Sequence, residues 1–329
     1  MTKLIDVARK AGCSPTTVSR VINNYGYISE KTRKKVFQAM AELHYQPNSA
    51  ARSLQGKKTQ LVGLIFPTVS NPFFGELVSK IENQLFTAGY KTILCNAEEK
   101  IEKERSYLQM LTANKVDGII AGAHNLEIAE YQETGLPIVS FDRKLSDNIP
   151  IVSSDNYLGG ELATQELYDN GARKIYFVGT ATVTGQPTDR RLQGYKNKIK
   201  QLGLEPRVQP ISSGEKAEIK EMAIQNLLST KVVDGIVASD DLTASLCLTV
   251  AERLSLSVPQ DLKIIGFDGS QVVRTLRPDL STIVQPTQAI AQLLVKLLEE
   301  RIAHPHEPLT QDTYTLPVEL LRRKSSSHQ

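Results

Sequence analysis

Two segments of this chain return, in the same order, in its second half. "VDGIIAGAHN" (116–125) recurs as "VDGIVASDDL" (233–242), and "PIVSFDR" (137–143) recurs as "KIIGFDG" (263–269). Each is a β-branched apolar run that ends in polar residues, the pattern of a buried strand leading into a loop. Two ordered copies of one plan predict two similar lobes. From Gln60 onward such runs alternate with amphipathic helical stretches: "LVGLIFP", "ELVSKIENQLFTAG", "KTILCN", "KERSYLQMLTAN". This alternation predicts parallel sheets with crossover helices on both faces. Ligands of such sheets bind beyond the carboxyl ends of the strands. The cleft between the lobes is therefore expected to be lined by Asp142, Arg143, Asp240, Asp241 and Asp268. No G-x-G-x-x-G or G-x-x-x-x-G-K-[ST] stretch accompanies the strands, so nucleotide phosphate is not indicated.

Convergent carboxylates, guanidiniums, amides and rings suit a sugar. Charged and amide groups bond hydroxyls in pairs, and aromatic faces cover the apolar side of the ring. "SNPFFGEL" supplies Asn71, Phe73 and Phe74, "TDRRLQGY" supplies Arg191, and "STIVQP" supplies Gln285. Some of these positions also admit a plain structural reading. Phe73 or Phe74 is a core candidate. Asp155, Asp240 and Asp241 are each placed to cap the helix that follows.

The first 60 residues carry 11 lysines and arginines against three acids, a net of +8. The rest of the chain carries −5 of the overall +3. A basic head on a mildly acidic body is the footprint of a nucleic-acid-binding segment. "LIDVARKAGCSPTTVSRVIN" reads as two short helices about a tight turn. Leu4, Ile5, Val7, Ala8 and Ala11 form an apolar stripe, and Gly12 ends the first helix. Ser14 caps the second with Pro15 at its first position. Val18, Val21 and Ile22 face inward at i, i+3 and i+4. Thr16, Thr17 and Arg20 remain outside near the amino end, where a recognition helix meets base edges, and Ser19 is placed for phosphate. A third helix from Ser29 is expected to close the core with Val36, Phe37, Met40, Ala41 and Leu43. "QPNSAARSLQGKKT" then predicts a two-turn helix, capped by Asn48 and ended by Gly56, too short to stand alone. Leu54, between Arg52 and Lys57, is an apolar wedge suited to a minor groove.

"DVARKAGCSPTTVSRVIN" and "YQPNSAARSL" resemble the lactose/galactose repressor family, and the resemblance covers nearly the whole chain. It implies a homodimer on pseudo-palindromic operator DNA, with Thr16, Thr17 and Arg20 reading bases and Leu54 inserted in the minor groove. Ser14, Ser19, Asn48 and Ala51 complete the implied DNA contacts. The body is similar to periplasmic sugar-binding proteins. Its likeness to the ribose-binding proteins falls on Asn71, Phe73, Phe74, Asp142, Arg143, Arg191, Asp268 and Gln285. One position departs: the asparagine expected in "ASDDL" is Asp240, which argues against ribose itself. "ARSLQGK", "KERSYLQMLTANKVDGII", "SFDRKLSDNIPIVSSDN" and "SDDLTA" look like the sucrose operon repressors within the family. That implies sucrose, its 6-phosphate or fructose as effector. The alternatives are a ribose-type repressor and a catabolite regulator governed by a protein partner.

These readings give an α/β protein of three parts: a helix-turn-helix headpiece (1–46), a hinge helix and linker (47–59), and a two-lobed sugar-binding and dimerisation domain (60–329). No nucleophile–base arrangement and no metal-spaced histidine cluster is apparent, so neither enzymatic activity, nor a metal, nor a cofactor is expected. Cys13, Cys95 and Cys247 are far apart and read as buried free thiols of a reducing compartment. No apolar run reaches the ~18 residues of a membrane span, and "MTKLIDVARKAG" lacks the apolar stretch of a signal peptide. The expectation is a cytoplasmic protein. The C-terminal stretch shows no heptads, which favours a dimer over a coiled-coil tetramer.

Overall fold

The computed structural model describes residues 2–23, 25–46, 58–98, 100–122, 125, 128–181, 185–212, 214–230, 232–305, 307–309 and 311–327. The chain divides into two compact units, Met1–Thr59 and Gln60–Gln329. Among the described residues, no helix is long and apolar enough to cross a membrane. Cys95 and Cys247 are buried, while Cys13 is only half-buried; all are free thiols.

The first unit holds α1 (Leu4–Ala11), α2 (Pro15–Ile22) and α3 (Glu30–Glu42). Asp6 accepts the Lys3 N–H at 2.9 Å and so closes the start of α1. Gly12, at φ 65°, ends it in the left-handed conformation. Ser14 Oγ accepts the Thr17 N–H at 3.1 Å and caps α2. Val7, Ala8, Val18, Val21, Val36 and Ala39 form the core, with Leu4, Ile22, Met40 and Leu43 packed against it. Three expected core residues lie outside it: Ile5 is 53% exposed, Phe37 is 50% exposed and Ala41 is exposed. On α3 the inward row is Val36, Ala39, Met40, Leu43, a strict i, i+3, i+4, i+7 stripe. Phe37 and Ala41 sit one residue round the helix from it. The expected hinge helix, with Asn48, Ala51 and Leu54, lies outside the described residues.

The second unit contains two six-stranded sheets. The first has the order β11-β5-β4-β3-β1-β2, with β1 Leu61–Phe66, β2 Lys91–Asn96, β3 Gly118–Ala121, β4 Ile138–Phe141, β5 Ile151–Ser154 and β11 Thr313–Leu316. The second has the order β12-β10-β9-β8-β6-β7, with β6 Ile175–Gly179, β7 Arg207–Pro210, β8 Gly235–Ala238, β9 Lys263–Asp268, β10 Ser281–Val284 and β12 Glu319–Leu321. Among the described residues every neighbouring pair runs parallel except β10 and β12. The helices are α4 (Pro72–Thr87), α5 (Ile101–Ala113), α6 (Glu130–Glu133), α7 (Asn156–Asp169), α8 (Arg190–Gln201), α9 (Ala217–Ser229), α10 (Asp241–Arg253), α11 (Gln271–Leu276) and α12 (Thr287–Ala303).

The repeated segments occupy equivalent places. β3 and β4 pair with Ile119 opposite Ile138, and β8 and β9 pair with Ile236 opposite Ile264, the same register in each copy. The aspartates of the two "VDG" runs do one structural job twice. Asp117 accepts the Gln60 N–H at 2.8 Å, and Asp234 accepts the Lys174 N–H at 2.7 Å, each pinning the approach to a central strand. The chain passes from the first sheet to the second between β5 and α7. It returns between β10 and α12, whose Ile290, Leu294 and Leu298 join the first lobe's core with Leu64, Phe66 and Val139. It crosses again from β11 to β12.

α7 and α8 touch backbone to backbone through two glycines. A Cβ on Gly160 would lie 2.1 Å from the Arg191 carbonyl oxygen, and one on Gly194 would lie 2.1 Å from that of Tyr157. This contact sets the starts of the two helices, Asn156 and Arg191, side by side. Gly160→Ala gains helix propensity but must push the helices apart. We expect it to cost about 1–3 kcal/mol in urea unfolding, as overpacking does.

Candidate functional site

On α2, Thr16 and Arg20 are exposed, and Thr17 and Ser19 are half-buried. Thr17 Oγ1 lies 2.9 Å from Ser14 Oγ, so this hydroxyl shares the cap as well as facing outward. Ser19 Oγ accepts from Asn23 Nδ2 at 3.2 Å. Local hydrogen bonds thus hold these side chains, Ser19 with Asn23 at the carboxyl end of the helix and Thr17 with Ser14 at its amino end. That amino end also carries the positive pole of the helix dipole.

In the body, the loops beyond β1, β3 and β4 face those beyond β6, β8 and β9 across a cavity of about 480 Å³. Asn71, Phe73, Phe74, Asp142, Arg143, Arg191, Asp240 and Asp268 all line it. Asn71 also caps α4, accepting the Phe73 N–H at 2.9 Å. Phe73 is 4% exposed and belongs to the first lobe's core, so it shows the cavity only an edge; Phe74 is half-buried and meets it edge-on at 5.4 Å. Asp142 and Asp268 are the aspartates of the two "FD" repeats. Both hold positive φ, 55° and 113°. That conformation costs a non-glycine residue about 1–3 kcal/mol, and such strain gathers at functional sites.

Two expected lining residues are set back from the cavity. Asp241 is 2% exposed. Its carboxylate accepts the Thr282 hydroxyl at 2.5 Å and the Gly269 N–H at 2.8 Å. Gly266 lacks a side chain because Asp241 Oδ1 lies 2.3 Å from where its Cβ would stand. Gln285 is buried between Ser154 Oγ and Asp268 Oδ1, both at 2.7 Å. It holds Asp268 and does not face the cavity. Asp240 does both jobs weighed for it: it caps α10 through the Thr243 N–H at 2.8 Å and lines the cavity. Asp155 caps α7 through the Leu158 N–H.

Side chains that the sequence reading did not single out complete the site. Asn156, at the start of α7, gives Nδ2 to Asp142 at 3.0 Å and takes Arg191 Nε on Oδ1 at 2.7 Å. Arg191 also donates to the Ser239 carbonyl at 2.7 Å, stands 3.5 Å from Asp268 and stacks 3.7 Å over the Phe267 ring. Across the mouth, Thr188 donates to Asp142 at 2.9 Å and accepts from Arg143 at 2.5 Å, and Gln186 accepts the Lys144 N–H at 2.8 Å. Thr188 and Gln186 occupy a short turn with no periodicity to flag them. Asn156 follows a capping aspartate and reads as an ordinary helix start.

Among the described lining residues, four carboxylates (Asp142, Asp189, Asp240, Asp268) stand against two guanidiniums (Arg143, Arg191). Burial pushes the Asp241 carboxyl up to about 7, with Asp240 adding to the shift. Burial also drives Asp268 well above the usual carboxylate range, against the opposing pull of Arg191.

Residues 3–48 match the family model of bacterial regulatory proteins, lacI family, and residues 164–326 match that of the periplasmic binding protein-like domain. The chain is 54% identical to a sucrose operon repressor of Pediococcus pentosaceus over 97% of its own length and 98% of that protein's. It is 37% identical to a ribose operon repressor of Bacillus subtilis over 99% of both. Its fold matches a periplasmic binding protein/LacI transcriptional regulator of Alkaliphilus metalliredigens complexed with D-xylulofuranose. There the TM-score is 0.73 at 33% identity, covering 81% of this chain and 99% of that one.

The buried acids set a direction for stability against pH. An unfolded aspartate titrates near ~3.9. Between that value and about 7, native Asp241 holds a proton that the unfolded chain has released. Stability therefore falls as pH rises through this window. We expect a lower urea midpoint at pH 8 than at pH 6, and a smaller difference between the two in Asp241→Asn.

Proposed function

The chain belongs to the lacI family of bacterial regulatory proteins, and on that footing we propose that it represses a sucrose-utilisation operon and leaves its operator when an unphosphorylated sugar fills the cleft. It is a sugar-responsive transcriptional repressor. The observation that carries the reading is the cavity itself: carboxylates, guanidiniums and amides from both lobes converge beside a half-buried ring. Each hydroxyl of a sugar both donates and accepts a hydrogen bond, which such a mixed set matches.

The charge of the cleft argues against a phosphate ester. Among the described lining residues the acids Asp142, Asp189 and Asp240 outnumber the guanidiniums of Arg143 and Arg191, even with Asp268 pushed toward its protonated form by burial. Both guanidiniums are already engaged, Arg143 with Thr188 and Arg191 with Asn156 and the Ser239 carbonyl. Arg190, a further candidate for a phosphate, sits over the Tyr157 ring and is not among the lining residues. The segments 122–128 and 180–186, which adjoin the cavity in sequence, contain no lysine or arginine. A dianion would face more acids than guanidiniums among the described lining residues, and both of those guanidiniums already hold partners.

The headpiece (1–46) reads a half-site, with Thr16, Thr17 and Arg20 on bases and Ser14 and Ser19 on phosphate. Two heads are needed for a pseudo-palindrome, so the working form is a homodimer. The segment 47–59 supplies the hinge, with Asn48, Ala51 and Leu54 in the minor groove. Sugar changes the angle between the lobes, the hinge pair parts, and operator affinity falls by a coupling free energy of ~1–3 kcal/mol. The work is binding without turnover, in the cytoplasm.

The test is fluorescence anisotropy at fixed salt on an operator selected from random duplexes. Sucrose, fructose, ribose and sucrose 6-phosphate are added separately. We expect release by an unphosphorylated sugar and none by the phosphate ester. Arg20→Ala should weaken operator binding by about 1–3 kcal/mol and leave sugar affinity unchanged. Release by sucrose 6-phosphate alone contradicts the charge argument. Tight specific binding that no sugar relieves contradicts the sensing role and favours a protein partner.

A further inference from the structure

Helix α5 carries a carboxylate where packing alone has no use for one. Glu104 is fully buried, among the apolar side chains of Leu108, Leu111 and Cys95 that form this side of the first lobe. A leucine would fill such a place at no electrostatic cost, whereas an ionised group is expensive to bury. Burial raises its carboxyl, and its two hydrogen bonds oppose the rise. Oε1 accepts the Tyr131 hydroxyl at 2.5 Å, and Oε2 accepts Asn125 Nδ2 at 2.6 Å. Asn125 is itself one of the residues that line the ligand cavity.

An amide is a fork with one donating and one accepting arm, and an ionised carboxylate accepts only. Glu104 therefore dictates which arm of Asn125 turns inward. With Nδ2 held on the carboxylate, Oδ1 is the arm left for the cleft. It has no hydrogen-bond partner among the described residues. We propose that Glu104 is a positioning residue for effector recognition: it fixes the Asn125 amide so that Oδ1 accepts a hydrogen bond from a hydroxyl of the bound sugar. The inference rests on the sugar-sensing reading above. It explains why a buried acid sits on an outer helix that lends no residue of its own to the cavity lining.

The test is titration calorimetry of sucrose, fructose and ribose into the full chain and its variants, with thermal unfolding run beside it. Glu104→Gln keeps the volume but lets the Asn125 amide turn over. Affinity for the sugar that binds the parent should fall about tenfold, the order of one misdirected hydrogen bond. Glu104→Gln combined with Asn125→Asp exchanges donor and acceptor and again leaves an oxygen toward the cleft; affinity should return to within about threefold of the parent. Tyr131→Phe removes the other hydrogen bond to Glu104, so it should lower the melting temperature and leave affinity alone. Equal affinity in the parent and Glu104→Gln overturns the inference, as does a double variant that folds and stays weak. If Glu104→Gln does not fold, the double variant decides by itself. If none of the sugars binds the parent, the sensing role falls, and this inference falls with it.

Discussion

The Arg191 guanidinium is the interaction on which the rest of the body depends. It is buried, stacked on Phe267, and bonded to Asn156, the Ser239 carbonyl and, at longer range, Asp268. A buried cation is tolerable only when its donors are met, and here every partner belongs to the ligand site or its support. Asn156 relays the contact to Asp142 in the first lobe. On the other side Asp268 is held by Gln285, and Gln285 by Ser154. The result is a hydrogen-bonded belt around two of the chain's crossings between the sheets. Residues that line the cavity, Asp142, Arg191 and Asp268, are therefore also residues of the belt that connects the lobes. A small molecule seated among them would bear on both lobes at once.

That belt exists because the fold is duplicated. Corresponding strands, β4 and β9, each end at an aspartate of positive φ that lines the same cavity, one from each lobe. The Gly160–Gly194 contact brings α7 and α8 close enough for Asn156 and Arg191 to meet. Stability, by contrast, comes from the apolar layers behind, where Leu64, Phe66 and Leu294 on one side and Ile236, Ile264 and Leu228 on the other are shut from water. The excess of acid in the site is offset by protons and by few cations, so the site costs stability that those layers supply.

Much of this was legible in the sequence, because its signals are local. Alternating β-branched runs gave the sheets, the paired "VDG" and "FD" segments gave the two lobes, and Ser14–Pro15 with Gly12 gave the turn of the head. The placement of Asp142, Arg143, Asp240 and Asp268 followed from the rule that ligands sit at strand ends, and Arg191 from the likeness of its stretch to sugar-binding proteins. What escaped depends on distance in space. Gln285 and Asp241 lie close to the cavity in sequence logic, yet each is turned to serve a neighbour. Asn156, Thr188, Gln186 and Asn125 matter through partners tens of residues away, and no period or spacing announces them. Ile5 and Phe37 misled because a hydrophobic residue beside an apolar stripe looks like part of it until the helix phase is known.

The central claim is that the belt through Asn156 and Arg191 holds the sugar-binding groups of both lobes in one arrangement. The most direct test is calorimetric titration of Asn156→Ala with the sugar that releases operator from the parent. The account predicts affinity at least about tenfold weaker, a difference of ~1.4 kcal/mol, with sugar-free operator binding retained. Parental sugar affinity in that variant would contradict it.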